Sequence, residues 1–231
     1  MAGMFREDLR IAANDHHATV LDQYKDEVGK GVNNSTIYYH GLPGRMGHDI
    51  PTAYTHEPTA NFEVLPLDTV AAIDTIGLDQ HVSVLNFASY KNPGGMFLEG
   101  SRAQEEALCH ASVLYEVLSE FERTYYAQNR KMLNYGMYED IGIYSRSLLF
   151  DKPRKRKVDV MTCTRYSGIR NRSGSTHLRY TIVVHLCSTV CTSTSLMWLF
   201  SGRSGAVYSS RILHSLLGRS TKRLTLVTSS V

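Results

Sequence analysis

Residues 84–106 read VLNFASYKNPGGMFLEGSRAQEE, and the fold turns on this stretch. Val82, Val84, Leu85 and Phe87 form a short apolar segment of the kind that fills a buried strand. Asn92 to Gly95 then interrupts regular structure, because Pro93 fixes its own φ while Gly94 and Gly95 can take positive φ. With no Cβ in the way, such a bend lets backbone N–H groups approach a phosphate. Ser101 followed three residues later by Gln104 has the form of a capping box, so a helix is expected to begin there. Leu108, Ala111, Leu114, Tyr115, Leu118 and Phe121 recur at steps of three and four, the apolar face of one long helix. Glu105 and Glu106 fall in its first turn, beside the glycines. Taken singly, an acid pair there only complements the helix dipole, and Pro-Gly-Gly only turns the chain. Together they describe an anion site with acid–base chemistry next to it.

The longer stretch NPGGMFLEGSRAQEEALCHASVLY resembles the core of the microbial-type poly(ADP-ribose) glycohydrolases, which are macrodomain-like enzymes. Their motif is three glycines, a spacer of six to eight residues, and Gln-Glu-Glu. This chain has Gly94-Gly95-Met96, a spacer of seven, and Gln104-Glu105-Glu106. Asn86-Phe87-Ala88 and Cys109-His110 fit the same family, and the resemblance covers about the first 165 residues. Met96 stands where the family has its third glycine.

The resemblance implies an α/β fold, a macrodomain-like mixed sheet flanked by helices with an N-terminal helical extension. Residues 1–165 would be the catalytic domain, helical to about 60 and macrodomain-like from about 61. It implies hydrolysis of the ribose–ribose O-glycosidic bond of poly(ADP-ribose), or of a related ADP-ribosyl linkage, releasing ADP-ribose without cofactor or metal. Glu106 would be the general acid and base, Glu105 would position the ribose hydroxyls, and Gln104 would orient the pair. Asn86 would contact a ribose, and Gly94, Gly95 and Met96 would offer backbone donors to the diphosphate. The expected partner is ADP-ribose or its polymer, free or on a modified protein, and neither a nucleic acid duplex nor a membrane. Two other readings stay open: a module that binds ADP-ribose without cleaving it, and a hydrolase of mono-ADP-ribosyl or NAD-derived substrates.

The composition of the 231 residues is ordinary for a globular protein that buries a core, and a single domain is expected. No charged start followed by an apolar core opens the chain, so a cytoplasmic protein is expected. Cys109, Cys163, Cys187 and Cys191 lack metal-ligand spacing, and the first two read as free, buried thiols. His16-His17 reads as surface. Phe5 to about Lys30 suggests two helices broken near Asn14-Asp15, and Thr36 to Tyr39 a short strand in a loop-rich region. A strand at Phe62–Leu65 and a helix over Asp68–Ile76 then lead into the strand that reaches Asn86. Tyr125 to Tyr144 reads as irregular, with tyrosines that could wall a nucleotide pocket or pack the surface. The basic run KPRKRK, Lys152 to Lys157, reads as a solvated hairpin tip, because no aromatics are interleaved to stack a base. Val158 to Cys163 continues it as a buried strand.

Past that strand the chain changes character. Residues 1–159 carry 16 basic and 22 acidic side chains, whereas 160–231 carry nine basic and no acidic ones. Tyr180 to Gly202 is uncharged, but its Ser, Thr and His185 argue against a membrane span. An out-of-frame tail over residues 166–231 explains this composition better. Family members end this domain with a second glycine loop like Leu-Gly-Ala-Phe-Gly-Cys-Gly-Val-Phe. Back-translating FSGRSGAVYS, Phe200 to Ser209, with permissive third bases gives CTC GGG GCG TTC GGG TGC GGT GTA TTC from the third base of the Phe200 codon. Those codons spell that loop. A tail not selected for this domain should pack poorly and leave the sheet without its last strands.

Overall fold

β4 (Ser83–Ala88) is the strand on which the rest of the molecule is hung, and five of its six residues are buried. The computed structural model describes residues 5–39, 48–49, 60–65, 67–131, 141–164, 196–200 and 222–228. Seven further strands join β4: β1 (Ser35–Tyr39), β2 (His48–Asp49), β3 (Ala60–Leu65), β5 (Ile141–Phe150), β6 (Arg156–Thr164), β7 (Leu196–Phe200) and β8 (Lys222–Thr228). Their order is β2-β1-β5-β6-β4-β7-β8-β3. From β6 through β3 all neighbours are parallel, whereas β5 runs antiparallel to both β1 and β6. This is the expected mixed sheet, and its parallel centre explains why β4 is buried on both faces rather than alternating between buried and exposed residues.

Helices α1 (Arg6–Gln23), α2 (Lys25–Asn33), α3 (Thr69–Thr75), α4 (Gln104–His110) and α5 (Leu114–Ser119) pack into one connected layer. A π-helical turn at Glu122–Tyr126 and α6 (Ala127–Lys131) follow. Several expectations need correcting. First, α1 runs unbroken through Asn14-Asp15, because Asn14 Nδ2 donates to Arg10 O at 2.7 Å and to Leu98 O at 3.3 Å instead of capping a helix. Second, His16 is buried rather than exposed: with Ala13 and Val20 it forms the inner stripe of α1, and its Nε2 lies 3.1 Å from Ser112 O. Third, the long helix is broken at Ala111–Val113. Ser112 Oγ donates to Leu108 O at 2.7 Å and accepts from Leu114 N at 3.2 Å, and Ser112 bridges to Phe150 of β5, so its hydroxyl and backbone compete with the helix ladder. Fourth, residues 122–131 are helical rather than irregular, with Tyr125 and Tyr126 buried.

The basic run does form the tip of the β5–β6 hairpin, yet its side chains are engaged with the domain. Arg154 pairs with Asp74, Lys157 with Glu27, and Lys155 Nζ sits 4.9 Å from the centre of the Tyr24 ring. Arg156 is buried and donates to the carbonyls of Ile73, Ile76, Gly77 and Gln80, tying the C-terminal end of α3 and the turn that follows it to the hairpin. Cys109 and Cys163 are buried thiols and neither is in a disulfide.

Against expectation, the tail contributes two strands: β7 and β8 lie between β4 and β3. Pairing draws on backbone groups alone, and LMWLF and KRLTLVT are apolar or β-branched enough to sit in a sheet. The rest of the tail, including Cys187, Cys191 and residues 201–221, lies outside the described residues. Among the described residues no helix is long and apolar enough to cross a membrane.

Candidate active site

The site is assembled at the carboxyl end of β4, where Asn86, Phe87 and Ala88 give way to the loop that returns as α4. That loop is a chain of tight turns: Gly95 N donates to Asn92 O at 3.1 Å, Phe97 N to Gly94 O at 3.2 Å and Gly100 N to Phe97 O at 3.1 Å. Gly94 and Gly95 take φ of 64° and 63°, the left-handed region anticipated for them. The buried Phe97 ring anchors the loop, packed edge-on to His110 at 4.7 Å and tilted against Tyr115 at 5.2 Å.

α4 opens with Ala103 at its N-cap, so Ser101 does not form the expected capping box. The work falls to Gln104, whose Oε1 accepts from Phe87 N at 3.0 Å and whose Nε2 donates to Leu85 O at 2.9 Å. That amide ties the first turn of α4 to β4 and sets the direction in which the two following carboxylates point.

Glu105 and Glu106 are both buried, and the backbone of the bend holds them. Ser89 N donates to Glu105 Oε2 at 2.6 Å, and Met96 N to Glu106 Oε1 at 3.0 Å. Two of the amides expected to face a diphosphate are therefore engaged within the protein, Gly95 N on Asn92 O and Met96 N on Glu106. The carboxylates converge over Gly95: a Cβ there would stand 2.6 Å from Glu106 Oε1 and 3.1 Å from Glu105 Oε2. Close packing against the acids is thus what demands glycine at this position.

Asn86 is fully buried at the base of the site, opposite Thr162 in the parallel β4–β6 ladder. Three buried oxygens around this point, Asn86 Oδ1, Glu105 Oε1 and Glu106 Oε2, have no hydrogen-bond partner in the protein. Buried acceptors are costly to leave unpaired, so such a set calls for a ligand rich in donors, as a sugar is. Ser89 was not legible as part of the site, because it acts through its backbone and leaves no side-chain signal.

Burial pushes the Glu105 carboxyl up to about 8; Ser89 N–H draws it back, the charge of Glu106 raises it, and the Asn86 amide lowers it. Between the ordinary value of 4.5 and about 8 the native state keeps a proton that the unfolded chain has released. Stability therefore falls as pH rises through that window. Glu105→Gln is expected to flatten this fall, measured as urea midpoints at pH 5 and pH 8; equal slopes in the two proteins would show that Glu105 is not held protonated. Burial likewise drives the Cys109 thiol well above its usual range, which makes it inert packing behind Gly94 rather than a nucleophile.

In fold, the chain is similar to poly(ADP-ribose) glycohydrolase from Thermomonospora curvata, with a TM-score of 0.70 at 20% identity over 96% of this chain and 93% of that one. The same enzyme bound to the inhibitor ADP-HPD matches at a TM-score of 0.68 and 19% identity, over 96% and 93%. Poly(ADP-ribose) glycohydrolase from Deinococcus radiodurans in complex with ADP-ribose matches at a TM-score of 0.57 and 20% identity, over 90% and 85%. No curated protein matches in sequence. The model of the microbial-type PARG catalytic domain matches residues 11–152, a span that contains most of α1, the glycine bend, both carboxylates and β5. The chain belongs to the microbial-type poly(ADP-ribose) glycohydrolase family.

Proposed function

We propose that this domain hydrolyses the ribose–ribose O-glycosidic bond of poly(ADP-ribose), releasing ADP-ribose, and that Glu106 carries the proton transfers. The observation behind this reading is the pair of buried carboxylates meeting at Gly95, each held through one oxygen by a backbone N–H and each with its other oxygen unpartnered. Burial above all, with the charge of Glu106 adding to it, keeps a proton on Glu105 at neutral pH. When the sugar binds, that proton passes from Glu105 to Glu106, whose Oε2 gives it to the leaving ribose oxygen as the oxocarbenium-like centre forms; Glu106 then takes a proton from the water whose oxygen bonds to that centre. Glu105 and Asn86 hold the ribose hydroxyls, and Gln104 keeps the pair aimed. Diphosphate contact by Gly94, Gly95 and Met96 requires the bend to exchange its internal partners for the ligand.

Met96 supports a second reading. It is 45% exposed beside the acids, in the place of the family's third glycine, and its side chain favours a shorter substrate such as a mono-ADP-ribosylated protein. The tail bears on either reading. Its lack of acidic residues and the loop hidden in the shifted frame support a frame break after Cys163, with residues 1–165 as the catalytic domain and 166–231 in place of its proper end. Sequencing the encoding DNA tests this; no acidic residues and no glycine loop in the shifted frame would end it. The frame-restored protein, incubated with polymer, mono-modified protein and free nucleotides, is expected to release ADP-ribose from polymer. Binding without release from any substrate would make it a reader of ADP-ribose instead.

A further inference from the structure

Asn86 and Thr162 face one another across the parallel β4–β6 ladder, both with no exposed surface. Asn86 Nδ2 donates to Thr162 Oγ1 at 3.3 Å, while Asn86 Oδ1 has no partner in the protein. An asparagine amide is a donor at one end and an acceptor at the other, and rotation by half a turn exchanges them. A threonine hydroxyl can serve either end, but a carboxylate takes only the N–H end, and the Asn86 amide also bonds the Glu105 side chain, so the two neighbours together decide which end the ligand meets.

We propose that Thr162 is a positioning residue: by accepting from Asn86 Nδ2, beside the Glu105 side chain that takes the same amide, it holds the carbonyl Oδ1 toward the ligand, so that the base of the site reads a sugar hydroxyl as a donor. This rests on the assignment of the site above, because it assumes that Asn86 touches the ribose. Asn86 also lies beside Glu105, whose charged form its amide favours. Thr162 therefore acts on the acid pair at one remove, through the orientation of a single amide. Substrate preference follows: a ribose with its hydroxyls free is retained, and an analogue lacking the hydroxyl opposite Asn86 is not.

The test uses the full chain with ADP-ribose as the probe, followed by isothermal titration calorimetry at pH 6 to 9. Thr162→Val keeps the shape and removes the hydroxyl, and is expected to weaken binding about tenfold, the worth of one buried hydrogen bond, with the pH dependence of affinity displaced upward. Thr162→Ser is expected to restore both, because only the hydroxyl is needed. In an Asn86→Ala background, Thr162→Val should have no further effect, since the group it orients is gone. Thr162→Ser as impaired as Thr162→Val would assign the loss to packing of the methyl group and overturn the proposal. So would an unchanged affinity in Thr162→Val when Asn86→Ala is impaired. If Asn86→Ala itself binds as well as the unsubstituted chain, or neither binds, the site assignment fails first. Thermal unfolding of each variant shows whether a loss of binding comes from a loss of fold.

Discussion

Glu106→Gln in the frame-restored protein is expected to lower kcat by about 10²–10⁴-fold while leaving ADP-ribose affinity nearly unchanged. The substitution keeps the size of the side chain, and its amide oxygen can still accept from Met96 N, so the bend keeps its main internal tie. What it removes is the ability of the second oxygen to give up a proton and take one back. Glu105→Gln is the informative contrast, because that residue is read as holding ribose hydroxyls and should lose affinity as well as rate. Single-turnover release of ADP-ribose from polymer, alongside calorimetric binding, separates the two. A Glu106→Gln protein that turns over normally would move the chemistry elsewhere, and one that folds but no longer binds would make Glu106 a binding residue.

How much of this was legible beforehand depended on whether a signal was local. The strand into Asn86, the α3 segment, the β5–β6 hairpin and the glycine bend all announce themselves within a few residues, by apolar runs and by residues that only certain φ values suit. The acids do lie in the first turn of α4, although Ala103 and not Ser101 is its N-cap. What the sequence did not disclose was set by contacts distant along the chain. Asn14 looks like a helix breaker until Leu98 O is seen to take its amide, and His16 looks exposed until α1 is laid on Ser112. Ser112 sits in a run with perfect helical spacing, and only its bridge to Phe150 shows why the helix stops there. Thr162 is one β-branched residue in a strand of such residues, and no pattern marks it until β6 is set beside β4.

The second large effect is expected from Gly95→Ala, a change of one methyl group that touches neither acid chemically. Two costs fall on it together. Its φ of 63° is one that alanine adopts with strain, which takes about 1–2 kcal/mol from stability. Its Cβ would stand 2.6 Å from Glu106 Oε1 and 3.1 Å from Glu105 Oε2, distances that force a carboxylate or the bend to move. A displacement of about 1 Å at reacting groups costs on the order of 10²-fold in rate, and a loss of turnover of at least that size is expected. Gly94→Ala provides the control, because it carries the same backbone strain at φ of 64° but directs its Cβ at the Tyr115 ring, 2.7 Å away, and at Cys109 Sγ, 3.2 Å away. It should therefore lower the melting temperature at least as much as Gly95→Ala while sparing more of kcat in the molecules that remain folded. If the two variants lose stability and turnover in the same proportion, the glycines matter only for the bend. If Gly95→Ala alone loses turnover beyond its loss of fold, the missing Cβ is what lets the backbone close on both carboxylates and hold them in register with the sugar.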